Sequence, residues 1–349
     1  MTARKAFKAR VRAEMSASGR TYAQAAAMLE AGNPARPADA HPASALVVAL
    51  LRAHGMDLAP EAAFGVGGGI GFMYAVFTYA EVDHPLLTIV CQHHPAPWAP
   101  TMLDRLGIPH VQVKTKALTV ALLRDRRPVI LPLARGSLNW LHPSADEREE
   151  QVVLILPAEE GGCRVLDGSG SAQTMSVEDI VTAYMLSRRK HPVIAVEEAA
   201  GAQLDVATPL RAGLRACVAG MTGPVLGNSF DVNFGLSGLE KWAQRADGVG
   251  RDDWPALFGS NPVWRTRLVD GIEREHTAPT AGRPLFARTL RLANLDAAAA
   301  AFERSAGHWR TISHRAGSGT LTYSQLAHEV RRIRDLEAEG TALLAEKLR

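Results

Sequence analysis

Cysteine is scarce in this chain: three in 349 residues, at Cys91, Cys163 and Cys217. None stands in C-x-x-C spacing, so no disulfide framework is expected, and a reducing, cytoplasmic compartment fits. No apolar run approaches the roughly 18 to 20 residues that cross a bilayer, so no membrane span is expected. The basic start has no apolar core behind it, so a secretory leader is not expected either. The formal charge is only +3, and no global basic field points to nucleic acid. What is present is ordinary globular composition, 47% hydrophobic and 21% charged. The length suits two domains, or one large domain with an appendage.

Residues 1–36 carry Arg4, Lys5, Lys8, Arg10, Arg12, Arg20 and Arg36 against Glu14 and Glu30. Phe7, Val11 and Met15, then Tyr22, Ala25, Ala26 and Leu29, fall at helical spacing. The reading is a solvated basic helical extension, joined by a Pro-rich linker at 33–39. A DNA-associated arm is the least favoured alternative, because no aromatic stacking platform accompanies the charge.

The chain is organised around residues 41–74. His41-Pro42 favours an extended entry, and Ala45, Leu46, Val48, Ala49, Leu50 and Leu51 follow as a helix apolar enough to be buried. Gly55 ends it, and a short helix at 60–64 leads into a run with five glycines in seven residues, 65–71. Such a run lets backbone pass close to a ligand or to another segment, at an entropic cost. Gly67, Gly68, Gly69 and Tyr74 are therefore candidate ligand contacts, or the wall of a cleft. A dinucleotide fingerprint is disfavoured, since a helix rather than a strand precedes the glycines.

Buried strands are expected at 86–90, 111–113, 128–133, 151–156, 163–166 and 193–196, with helices between them, which is an α+β pattern. Cys91, His93 and His94 invite a metal site. Adjacent strand residues face opposite ways, however, and further ligands at zinc spacing are missing, so a surface loop is preferred and no metal is expected. From 209 onward the pattern is helical, at 210–221, 235–246, 254–258, 264–275, 284–295, 297–315 and 323–347, with Trp242, Trp254, Trp264 and Trp309 as core residues. Arg331, Arg332 and Arg334 among Glu329, Asp335, Glu337 and Glu339 read as a solvated mixed-charge face. The segment 228–235 sets Asn228, Asp231 and Asn233 between aromatics. It is either a capped loop or a ligand-binding flap over the cleft.

The helix, its glycine stop and the following F-G-x-G-G-G-x-G-F-x-Y resemble the N-terminal domain of the butirosin biosynthesis protein H family. That likeness runs to about Glu197, and residues 226–243 resemble the helical domain that accompanies it. The resemblance implies a papain-like α+β domain at 37–200, an all-helical domain at 205–349, and transfer of an acyl group from a carrier protein to an aminoglycoside amine. It also implies a His-Cys step at the start of the first buried helix, a histidine opening a later strand, and an aspartate ending that strand's neighbour. Here Pro42 stands where the cysteine is expected and Gln151 where the histidine is expected, while Asp167 keeps the orienting position. Proline cannot attack a carbonyl, and a glutamine amide does not titrate.

Ser44 could substitute for the cysteine if His41, three residues earlier, served as its base, and Cys91 is a second candidate. Neither makes a convincing nucleophile–base pair. The expected function is therefore binding of a small molecule, a carrier-bound acyl group or a protein partner, without cysteine chemistry and without a cofactor. An acyltransferase with a substituted nucleophile is the alternative.

Overall fold

The computed structural model describes residues 40–78, 84–141, 147–158, 162–170, 172–188, 190–197 and 204–349. The basic extension expected at 1–36 lies outside them. The described chain is α+β, a mainly antiparallel β-structure followed by a helical C-terminal region. No helix among the described residues is long and apolar enough to cross a membrane.

Helix α1 (Pro42–Ala53) starts with proline at its first position, where the missing N–H is no loss. Its apolar stripe, Leu46, Val47, Leu50 and Leu51, is buried. Gly55, at φ +75°, turns the chain out of the helix. Helix α2 (Pro60–Gly67) also opens on proline and ends on Gly68 in the left-handed region. Strands β1 (Ile70–Phe77) and β2 (Leu86–Gln92) then form a separate antiparallel ribbon.

After α3 (Trp98–Arg105), strand β3 (His110–Val113) and α4 (Lys116–Arg124), the main sheet is built from β4 (Val129–Ala134), β5 (Glu150–Pro157), β6 (Cys163–Leu166) and β7 (Ala172–Met175). Helix α5 (Val177–Leu186) and β8 (Val193–Val196) complete it. The strand order is β3-β8-β4-β5-β6-β7, antiparallel throughout. Alternation along the strands divides the side chains cleanly. Ile130, Leu154 and Ile194 pack into the core that holds α1. Leu131, Val153, Ile155 and Val165 pack against Ile180, Ala183 and Tyr184 of α5 and Leu123 of α4.

The helical region comprises α6 (Ala207–Thr222), α7 (Gly235–Asp247), α8 (Trp254–Phe258), α9 (Val263–Glu273), α10 (Arg283–Leu292), α11 (Asp296–Gly317) and α12 (Tyr323–Leu348). Its spacing matches the sequence reading closely, and Trp242, Trp254, Trp264 and Trp309 are all buried. The boundary expected near residue 200 does not separate two cores. Helices α1 and α2 share one apolar cluster with Leu210, Leu214, Phe286, Leu290, Phe302 and Leu344. Phe72, Tyr74, Leu87 and Ile89 of the ribbon share another with the four tryptophans. The ribbon is thus part of the helical region's core, although it belongs to the first half of the sequence.

Candidate functional site

At the entry to α1, His41 is buried between aromatic rings, its centroid 4.2 Å from that of Trp98 and 5.0 Å from that of Phe64. The Gln92 amide, at the end of β2, is oriented by three neighbours. Its nitrogen donates to the His276 carbonyl at 3.0 Å and to His41 Nε2 at 2.6 Å, while its oxygen accepts from Trp98 Nε1–H at 3.2 Å. The reverse orientation sets like against like at two of these contacts. His41 Nε2 is then an acceptor, so the ring proton sits on Nδ1, 2.9 Å from Ser44 Oγ. A further contact, Ser44 N–H to Nδ1 at 3.2 Å, needs the opposite tautomer. In the tautomer that satisfies Gln92, His41 gives a hydrogen bond to Ser44 and cannot take the hydroxyl's proton. Ser44 is also only 3% exposed, which leaves a substrate no approach.

Pro42 and the Asp167 corner do meet. A Cβ on Gly168, whose φ is +80°, would stand 2.6 Å from the Pro42 carbonyl oxygen, so the two backbones touch. The Asp167 carboxylate turns away to other partners, accepting from Ser169 N–H at 2.8 Å and Trp140 Nε1–H at 3.3 Å. Gln151 does not point to the α1 side of the sheet, where Pro42 lies. It pairs with Leu133 in regular register and so lies on the face of Leu133, Val153 and Ile155, which packs against α5 rather than α1. Its amide donates to the neighbouring Val152 carbonyl. Glu150, which sequence reasoning passed over, is put by alternation on the same side as Val152 and Leu154, which pack with α1. Its carboxylate accepts from the N–H groups of Lys190 and His191 and lies 2.7 Å from His191 Nδ1.

The glycine run is occupied by protein on its bare faces. A Cβ on Gly68 (φ +114°) would meet the His93 ring at 2.7 Å, and one on Gly69 (φ +64°) would meet Phe286 at 2.6 Å. Gly67 is packed against the Trp98 ring. Tyr74 belongs to the tryptophan core: its hydroxyl accepts from Trp254 Nε1–H at 2.7 Å, and burial pushes its pKa up to about 12. These four side-chain positions face neighbours within the fold. The surface loop expected around Cys91, His93 and His94 is instead packed, because His93 fills the gap left by Gly68 while His94 stacks on Phe234.

The segment around Asp231 is a capped loop lying on the ribbon, with Phe234 bridged to Met73. Asp231 accepts from the N–H groups of Leu226, Val225 and Asn228. These bonds, that from Leu226 foremost, hold its carboxyl below the usual range. Asn228 caps the following turn through the Phe230 N–H. Asn233 donates to the Phe230 carbonyl and accepts from Lys241 Nζ at 2.8 Å.

None of the three thiols is poised for attack. Burial raises Cys91 and Cys217 to about 12, outweighing the nearby Arg283, and burial raises Cys163 as well. Among the described residues, no group of three or more His, Cys, Asp or Glu side chains is arranged to hold a metal ion. No family model matches this chain, and no curated protein matches it.

Proposed function

We propose that this chain is a non-catalytic, butirosin-H-like protein. In this reading a papain-like domain and its helical companion bind a small molecule, a carrier-bound acyl group or a protein partner in the cytoplasm, within specialised metabolism. The observation that carries the reading is proline at the first position of α1, where papain-like acyl transfer needs a thiolate at a helix N-terminus. Three others support it. His41 is committed to Ser44 and Gln92, Gln151 faces away from α1, and the thiols are buried with raised pKa values.

The test is intact-mass measurement of the full chain after incubation with an acyl thioester. No adduct is expected, and none in any variant. The competing reading is a serine enzyme, which would need the other His41 tautomer at the 2.9 Å contact with Ser44. An adduct that disappears in Ser44→Ala would replace the present proposal with that one. An adduct that disappears only in Cys91→Ala would make Cys91 the family's nucleophile.

A further inference from the structure

The imidazole of His41 has hydrogen-bond partners in place for either of its neutral tautomers. With the proton on Nδ1, the ring donates to Ser44 Oγ at 2.9 Å, and Nε2 accepts from the Gln92 amide nitrogen at 2.6 Å. With the proton on Nε2, Nδ1 accepts from Ser44 N–H at 3.2 Å, and a Gln92 oxygen at the same 2.6 Å accepts from Nε2–H. Trp98 Nε1–H loses Gln92 as an acceptor in this second arrangement but keeps the His93 carbonyl at 3.2 Å. The His276 carbonyl has no such choice. It lies 3.0 Å from the Gln92 amide and accepts only from its nitrogen, so an amide oxygen turned toward it is repelled.

That carbonyl stands at a strained corner. His276 follows α9 with φ at +49°, a region that a non-glycine residue seldom occupies without support from its surroundings. The residues on either side differ in freedom. Arg274 and His276 reach solvent, whereas Thr277 and Ala278, each only 1% exposed, anchor the connection to α10. The corner is therefore the part of this connection that can shift without opening the core.

We propose that the His276 corner is a catch that sets which nitrogen of His41 carries the proton. Closed on Gln92, it leaves His41 donating to Ser44. Displaced, it frees the amide to turn, and the imidazole becomes an acceptor toward Ser44. The two states differ in the position of one backbone carbonyl, and the coupling passes by direct contact from the corner to Gln92, to His41 and to Ser44. The inference concerns where a proton resides, so it stands or falls separately from any binding of an acyl group.

The test reads the tautomer directly, from long-range proton–nitrogen correlation spectra of the full chain with isotope-labelled histidine at neutral pH. The His41 signals are assigned by their loss in His41→Asn. In the parent, Nδ1 is expected at the shift of a protonated ring nitrogen and Nε2 at that of a bare one. His276→Pro cannot adopt a positive φ and should displace the carbonyl, so the two shifts should exchange. His276→Gly tolerates that φ and should keep the parent pattern. If His276→Pro does not fold, judged by its melt, Gln92→Leu removes the donor to Nε2 and should give the same exchange. A parent ring with its proton on Nε2 would overturn the proposal, as would a pattern unchanged in His276→Pro or, failing that, in Gln92→Leu. Exchange in His276→Gly would also overturn it, because the imidazole of residue 276 rather than its backbone would then hold the catch.

Discussion

Arg283 and Glu337 form a bidentate ion pair, both bonds 2.8 Å, with neither side chain exposed to solvent. The guanidinium also donates to the carbonyls of Gly71, Cys91 and Ala281. The carboxylate accepts from Ser305 Oγ and Trp309 Nε1 at 2.8 Å each. One pair thus ties both strands of the ribbon to α10, α11 and α12. Burial lowers the Arg283 pKa, but the facing Glu337 outweighs it, so the group stays charged.

Removing one partner should therefore be costly. Glu337→Ala leaves a buried guanidinium uncompensated, and a loss of about 3–5 kcal/mol is expected in urea unfolding. Replacing both residues by methionine should cost less than either single change. A single variant within 1 kcal/mol of the parent by this measurement, about the worth of an exposed pair, would contradict a stabilising role.

Gly68→Val should destabilise by about 1–3 kcal/mol, since the residue sits at φ +114° and a Cβ would press on His93 at 2.7 Å. Gly55→Ala is the control. Its φ of +75° strains any side chain, but nothing lies within 4 Å, so a smaller fall in melting temperature is expected.

Acid should begin to weaken the fold above the range in which most carboxylates are protonated. Burial lowers His93 to about 4, and burial also lowers His94 and His276. The unfolded chain binds these protons near the ordinary histidine value of about 6.5, the native chain only lower. Stability from this source is full above about 6.5 and is lost as pH falls toward about 4. The melting temperature should drop across that window, and His93→Gln should flatten the slope. A melt independent of pH across that window would show that these imidazole pKa values are not lowered on folding.

Thiol reactivity offers the simplest check on the site. Cys91, Cys163 and Cys217 are all free and buried, and two are held at about 12. Native protein at pH 7 should react negligibly with a thiol reagent such as Ellman's, and unfolded protein should release three equivalents. Rapid modification of one thiol in the native state would identify a reactive cysteine.

Local pattern was enough for much of this fold. The periodicity of α1 and of the C-terminal helices, the glycine stops, the buried strands and the four core tryptophans are properties of short windows, and each is legible without knowing its neighbours. That position 42 is a proline, a side chain with no nucleophile, is equally local, because it holds wherever the residue lies. Partnership across the chain is another matter. Glu337 sits among charged residues that read as a solvated face, and only the convergence of α10, α11 and α12 makes it buried and paired with Arg283. Only the family resemblance assigns Gln151 a catalytic position. Its face was decided by the register of β5 against β4, where a shift of one residue reverses every side chain. Likewise, 51 residues separate His41 from Gln92, and the amide that sets the imidazole's proton is supplied by a strand the local sequence could not name. The ribbon itself reads as part of the first half, yet its aromatic face is buried among tryptophans from the second. Secondary structure followed from spacing, while the identity of each side chain's neighbours, and hence the chemistry left available, required the tertiary fold.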